Sequence, residues 1–275
     1  MNNEIKPAIL GNDHIRELLK SNKPFMAGKL GNTEKKIIKF RHNGIQDNTL
    51  STEAPFSAGV TPPTNEIFDF FCDVYIDAIK NMDIFGSSLG WDDFEIINKY
   101  NSNHHYYGMR CLEAIYWDDP WSKELENKNV LVIHPFTESI KKQYAIKDKL
   151  FKNKKMLPEF NLLTYRAKQT NAGGMGDGLD YKTALNIMIE DIKKIDFDIA
   201  LIGAGGYGLP LANTVKSMDK QAVTVGGGLQ LLFGIKGGRW DNHEDISKLF
   251  NEYWIRPSQE ERPINIYECE GACYW

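Results

Sequence analysis

The sequence has little of what marks several classes of protein. Basic residues are not in excess: 33 Lys and Arg stand against 37 Asp and Glu, a formal net charge of −4. Neutralising a phosphate backbone calls for a basic surface, so nucleic acid is not an expected partner. No apolar stretch approaches the ~20 residues that a membrane-spanning helix needs. The N-terminal MNNEIKPAIL has no basic segment followed by an apolar run, so no signal peptide is expected. Cysteine is scarce as well, with Cys72, Cys111, Cys269 and Cys273. Cys269 and Cys273 form a C-x-x-x-C with no second ligand pair behind it, which reads as separate buried thiols ahead of a zinc site. Together these absences point to a soluble, cytoplasmic protein with reduced cysteines.

What is present is a chain of 275 residues, long enough to bury a core without staples. Asn12 and Asp13 can cap a helix through Ile15, Leu18 and Leu19. Phe25 to Leu30 reads as a short strand, with a helix from Asn32 through Ile38. Residues 43–63 look like a long loop, the stretch from Asn65 has helical periodicity, and Gly86 to Trp121 is aromatic and unassigned. From residue 129 the pattern becomes regular. Strands are expected at Val130 to Ile133, Asn161 to Tyr165, Phe197 to Ile202 and Ala222 to Val225. Helices are expected at Glu138 to Lys152, Tyr181 to Lys194, Leu209 to Met218 and near Leu229 to Phe233. This alternation implies an α/β fold, a mostly parallel sheet with helices on both faces and right-handed crossovers. The chain is read as one domain over 1–275. It has an irregular part at 1–128, a regular βα part at 129–240 and a C-terminal tail at 241–275.

Ligands of such sheets gather at the carboxyl ends of the strands. Four loops therefore matter: GKLGNTE (28–34), HPFTES (134–139), GAGGYG (203–208) and GGGLQ (226–230). The third has the G-x-G-x-x-G spacing of a dinucleotide turn, after the apolar run FDIALI. A dinucleotide site also wants an acidic residue about 20 positions on. Here the next strand, QAVTV, runs into Gly226, Gly227 and Gly228 with no carboxylate. The turn retains free N–H groups at a helix start, which suits an anion. Tight β–α packing would also account for its glycines, but binding of a phosphate or a sugar is the favoured reading, and NAD is not. In GKLGNTE, Lys29 is a cation, and Asn32 and Glu34 offer oxygen atoms to a hard cation or a sugar hydroxyl. Asn32 as a helix cap with Glu34 in the first turn explains the same residues.

The run IGAGGYGLPLANTVKSMDKQAVTVGGGLQLLFGIKGGRW, with KLGNTE and the terminal EGACYW, resembles bacterial glycosyltransferases of the GT-D type from polysaccharide and glycoprotein biosynthesis. The resemblance is strongest over 129–240, with a shorter anchor at 25–34. It implies a Rossmann-like architecture and transfer of a hexose from a nucleotide-diphosphate sugar, expected to be UDP-linked, to a glycan or lipid-linked acceptor. A D-x-E motif of that type is implied to bind a metal, Mn2+ or Mg2+, and the diphosphate. Its matching positions here are Asn32, Thr33 and Glu34, so an amide stands where the family has a carboxylate.

Transfer needs a stabilised leaving group, a held sugar and a base for the acceptor hydroxyl. The expected donor-binding residues are Gly28, Lys29, Gly31, Asn32, Gly203, Gly205, Gly206, Tyr207, Gly208, Gly227, Gly228, Gln230, Lys236 and Arg239, with Trp240 available to stack. Glu34, His134 and Glu138 are the expected catalytic residues, and Glu34 and Asn32 the metal ligands. Asp92 and Asp93, Asp118 and Asp119, and His104 and His105 are weaker candidates. GGMGDG (173–178) reads as a lid, and the lysines from Lys141 to Lys155 as a solvated face or a contact with the inner face of a membrane. A homo-oligomer is compatible with the sequence. The alternatives are an NAD(P)-dependent oxidoreductase using GAGGYG and a sugar-nucleotide-binding protein without catalysis.

Overall fold

A computed structural model describes residues 5–43, 49–87, 93–170 and 178–275. Among them lies one sheet of seven strands: β1 (Phe25–Gly28), β2 (Ile84–Ser87), β3 (His105–Gly108), β4 (Asn129–His134), β5 (Asn161–Arg166), β6 (Ile199–Ile202) and β7 (Gln221–Thr224). Their order is β3-β2-β1-β7-β6-β4-β5, and every pairing is parallel. The fold is thus α/β and Rossmann-like, as the alternating pattern predicts. The helices are α1 (Ala8–Ser21), α2 (Asn32–Asn43), α3 (Leu50–Glu53), α4 (Asn65–Asn81), α5 (Asp93–Tyr100), α6 (Thr137–Tyr144), α7 (Lys147–Leu150), α8 (Tyr181–Ile192), α9 (Gly208–Ser217) and α10 (Leu229–Leu232).

Strand side chains alternate between two cores, as a period of two requires. Val130, Val132, Ile199 and Leu201 enter one core with Ile15, Leu19 and Ile140. Leu131, Ile133, Ala200 and Ile202 enter the other with Ile37, Phe71, Leu185 and Val215. Strands buried on both faces read as continuous apolar runs, which is why VLVI and IALI announce themselves. Two helices start on side-chain caps. Thr64 accepts from the Ile67 N–H at α4, and Asp180 accepts from the Thr183 N–H at 2.7 Å at α8.

The structure departs from the sequence reading in four places. The part at 1–128 is not irregular: it supplies β1, β2 and β3, and α5 lies between the last two. Asn12 does not cap α1, which begins after Pro7. Its buried amide clasps another segment instead, donating to the Asp119 carbonyl at 3.0 Å and accepting from the Trp121 N–H at 2.8 Å. Residues 43–63 carry α3 and a π-helical turn, Ala54–Ala58, held by an ion pair of 2.7 Å between Lys36 and Glu53. The helix expected over Glu138 to Lys152 is split into α6 and α7, where Tyr144 turns its hydroxyl to the carbonyls of Pro158 and Phe160. Among the described residues no helix is long and apolar enough to cross a membrane. Lys141, Lys147 and Lys155 pair with Glu138, Glu159 and Asp119.

Candidate functional site

Residues before and after β1 explain the main cleft. The chain leaves β1 towards β2 on one side, while β7 closes the other side after the whole β4–β6 excursion. A reversal of this kind opens a crevice at the carboxyl ends of the strands. Here the crevice is a cleft of about 530 Å³ lined by Lys29, Gly31, Asn32 and Glu34 after β1, Gly205 after β6, and Gly226, Gly227 and Gly228 after β7. Arg239, Trp240, Tyr116 and His243 complete its walls, together with Glu113, Glu270 and Tyr274. A volume of this order suits a nucleotide-sized ligand.

Lys29 is the electrostatic centre of that cleft. It is half-buried, and its ammonium finds only the Met109 thioether, at 3.5 Å. It forms no ion pair among the described residues. A partly desolvated cation that no carboxylate contacts directly favours an incoming anion. Arg239 differs, because it pairs with Glu270 and stands 4.9 Å from the Tyr274 ring centroid.

Three carboxylates face these two cations. Glu34 folds back over its own loop: a Cβ on Gly31 would stand 2.1 Å from its Oε2, so a side chain there would push the carboxylate aside. Burial pushes the Glu34 carboxyl up, against the pull of its own backbone N–H and of Lys29. Glu113 comes from an irregular segment and lies against Gly228, where a Cβ would approach its Oε1 to 2.7 Å. Its carboxylate forms no ion pair among the described residues.

Glu34 makes a pH-dependent prediction. An acid raised in the folded state costs stability wherever it is ionised. Glu34→Gln should therefore unfold at a higher temperature than wild type at pH 7. The difference should shrink as pH falls through the raised carboxyl and vanish below its ordinary value of 4.5. Thermal unfolding followed from pH 7 to pH 4 measures this, and a lower unfolding temperature at pH 7 would refute it.

A second, smaller cavity of about 70 Å³ adjoins the cleft, and Ser57, Gly205, Gly227 and Tyr274 line both spaces. His134, Phe136, Thr170, Gly203, Tyr207, Gln230 and Trp275 are among its other walls. His134 is buried at the end of β4, and burial depresses it to about 3. Its Nδ1 accepts from the Phe136 N–H at 3.0 Å. A ring held this way is a neutral N–H donor through Nε2, and the expected role as general base does not fit it.

Several other expected residues sit elsewhere. Glu138 is exposed, pairs with Lys141 at 2.8 Å and lines neither space, because the first turn of α6 turns it outward. Lys236 lies over the Phe250 ring. Gly28, Gly206 and Gly208 serve packing: added Cβ atoms would stand 2.5 Å from Leu209, 2.6 Å from the Ala58 carbonyl and 2.8 Å from Thr224. Gln230 donates its amide to the carbonyls of Ile235, Lys236 and Tyr274, a structural brace beside the small cavity. Asp119 binds Arg16, Lys123 and Lys155, and the His104 ring packs on Tyr106. All four cysteines are buried free thiols. Asp92, the Asp93 side chain and residues 173–177 of the expected lid lie outside the described residues.

Glu113, His243 and Tyr274 are cleft residues that the sequence does not single out. They come from short 3-10 turns and the C-terminal tail, which carry no periodicity.

No family model matches the sequence, and no curated protein matches it. Among solved structures, the chain is similar to a domain of unknown function numbered 1792, described as highly conserved and as having a distinct glycosyltransferase fold. The identity is 12%, over 81% of this chain and 78% of that one, with a TM-score of 0.46. It is also similar to a selenomethionine-substituted structure of domain of unknown function 1792, at 10% identity over 78% and 82%, with a TM-score of 0.38.

Proposed function

We propose that the protein is a glycosyltransferase that takes a hexose from a nucleotide-diphosphate sugar, UDP-linked in the first instance. The unpaired Lys29 ammonium in the large cleft carries this reading. A diphosphate laid across Lys29, Arg239 and the glycine turns after β6 and β7 meets two cations and backbone that a ligand can approach closely. Trp240 and Tyr116 offer flat walls for a base. The leaving nucleotide is then stabilised in the place where its charge develops.

The charge balance bears on a metal. Lys29 and Arg239 face Glu34, Glu113 and Glu270, so the lining is slightly acidic and suits a diphosphate that arrives with a divalent cation. Among the described residues no three His, Cys, Asp or Glu side chains gather as a metal cluster. Magnesium commonly binds through one or two carboxylates plus substrate phosphates. Glu34, with the exposed Asn32 amide beside it, fits that smaller demand and would hold Mg2+ or Mn2+ on the diphosphate. The cation would supply further neutralisation of the leaving group. Glu113 is the carboxylate free to take the acceptor's proton, with the acceptor a glycan or lipid-linked saccharide in surface polysaccharide or glycoprotein assembly.

Nothing in the site favours NAD(P). β7 ends in Thr224 and the following Val225 leads into glycine, without the acidic residue that would hold a ribose. A screen of UDP- and GDP-linked hexoses, with mass spectrometry following nucleotide release and glycosyl transfer, tests the proposal. Release of nucleotide from at least one donor is expected. Binding of a donor with neither release nor transfer would make the protein a non-catalytic carrier of the nucleotide sugar.

A further inference from the structure

We infer that the small cavity beside the cleft seats the donor's glycosyl group, and that His134 is its fixed, uncharged hydrogen-bond donor. This rests on the nucleotide-sugar reading of the large cleft. The two spaces meet at Gly205, Gly227 and Tyr274, so a diphosphate at the glycine turns can direct its sugar into the smaller one. A volume of about 70 Å³ corresponds to roughly five waters at ~10–15 Å³ each. That is too small for a nucleoside and of the right order for the polar edge of one sugar ring.

The polar groups on its wall favour hydroxyls. The His134 proton is fixed on Nε2, because Nδ1 accepts the Phe136 N–H. Among the described residues Nε2 has no protein partner. The ring cannot turn away, since it packs on Phe136 at 4.7 Å between centroids. On its other side it lies so near Gly203 that a Cβ there would stand 2.6 Å from Cδ2. The first glycine of GAGGYG thus makes room for this imidazole. Thr170 donates its hydroxyl to the Gly59 carbonyl at 2.7 Å, so the 2.7 Å contact with Tyr207 must use the Tyr207 proton. That leaves the Tyr207 oxygen as an acceptor. Neutral donors and acceptors suit a hydroxyl-bearing ring, and Trp275 Nε1 and Gln230 Oε1, unpartnered among the described residues, are further groups of this wall. Lys168, the charged residue on this wall among those described, is already engaged by the protein.

The test compares bare nucleotide with nucleotide sugar. Calorimetric titrations with UDP, UDP-glucose, UDP-galactose, GDP and GDP-mannose are run on wild type, His134→Phe and His134→Gln, with unfolding temperatures as a control for folding. Wild type is expected to bind one sugar nucleotide more tightly than its parent nucleotide. His134→Phe should lose roughly 5- to 10-fold of that increment, the order of one hydrogen bond, and leave affinity for the bare nucleotide unchanged. His134→Gln, whose Nε2 stands near the place of the imidazole Nε2, should restore it. The loss of sugar-nucleotide affinity from wild type to His134→Phe should also stay flat from pH 5.5 to pH 8, because the ring is neutral throughout. Bare UDP is left out of this comparison, since its terminal phosphate titrates at about pH 6.

An increment unchanged in both variants, or a difference between wild type and His134→Phe for the sugar nucleotide that titrates near pH 6.5, overturns the inference while nucleotide binding stands. The inference is also overturned if no sugar nucleotide outbinds its parent. Failure of both UDP and GDP to bind overturns the nucleotide reading itself, and the inference with it.

Discussion

Replacing Lys29 with methionine should weaken UDP binding by about 10- to 100-fold, the range of a lost charge-assisted contact. Methionine keeps the length and apolar stem of the side chain, so it removes the charge and little else. The stability of the folded protein should change little, since among the described residues the ammonium's hydrogen-bond partner is the Met109 sulfur alone and its pull on the Glu34 carboxyl is the other interaction lost. Affinity lost while stability holds is the signature of a residue kept for a ligand. Fluorescence or calorimetric titration with UDP, beside a urea unfolding curve, measures both. Loss of stability with unchanged affinity would show Lys29 to be a packing residue.

Replacing Glu113 with glutamine should lower kcat for glycosyl transfer by about 100- to 10,000-fold, the contribution of a positioned general base. KM for the donor should change little, because the amide keeps the shape that lies against Gly228. Glu34→Gln should divide differently, weakening donor binding most when Mn2+ is present and least when it is absent. Steady-state kinetics with saturating acceptor separate the two. A Glu113→Gln enzyme with wild-type kcat would move the base elsewhere in the cleft. The remaining candidate there is His243, whose Nδ1 already accepts from the N–H groups of Asp245 and Ile246.

The legible parts of the fold are those where local and tertiary signals agree. β4 and β6 are buried on both faces and read as unbroken apolar runs, and α4 and α8 show their buried stripes in the sequence. β2 and β3, IFGS and HYYG, lack the unbroken apolar run that lets the equally short β6, IALI, stand out. Glycine, serine and histidine in such short strands hide the period. α3 and the π-helical turn escaped because Asn, Ser, Thr, Gly and Pro around them imitate a loop.

The site divides along the same line. Lys29, Gly31, Asn32, Glu34, Gly205, Gly227, Gly228 and Arg239 are found together in the cleft, since strand ends in a parallel sheet converge by topology. Glu138 is four residues beyond a strand end, and helix phase carried it to the surface. His134 was selected for its position, but its burial, and hence its neutral state, depends on Phe136 and Gly203 closing around it. The glycines of GAGGYG look alike in sequence, yet only Gly205 reaches both cavities. Gly203 makes room for an imidazole, and Gly206 and Gly208 let other segments pack.

The most direct test of the nucleotide-sugar reading is one pair of calorimetric titrations, UDP against NAD, each with and without Mn2+. The cleft around Lys29 predicts saturable UDP binding, strengthened by Mn2+, and no measurable NAD binding. Saturable NAD binding with none for UDP would contradict it.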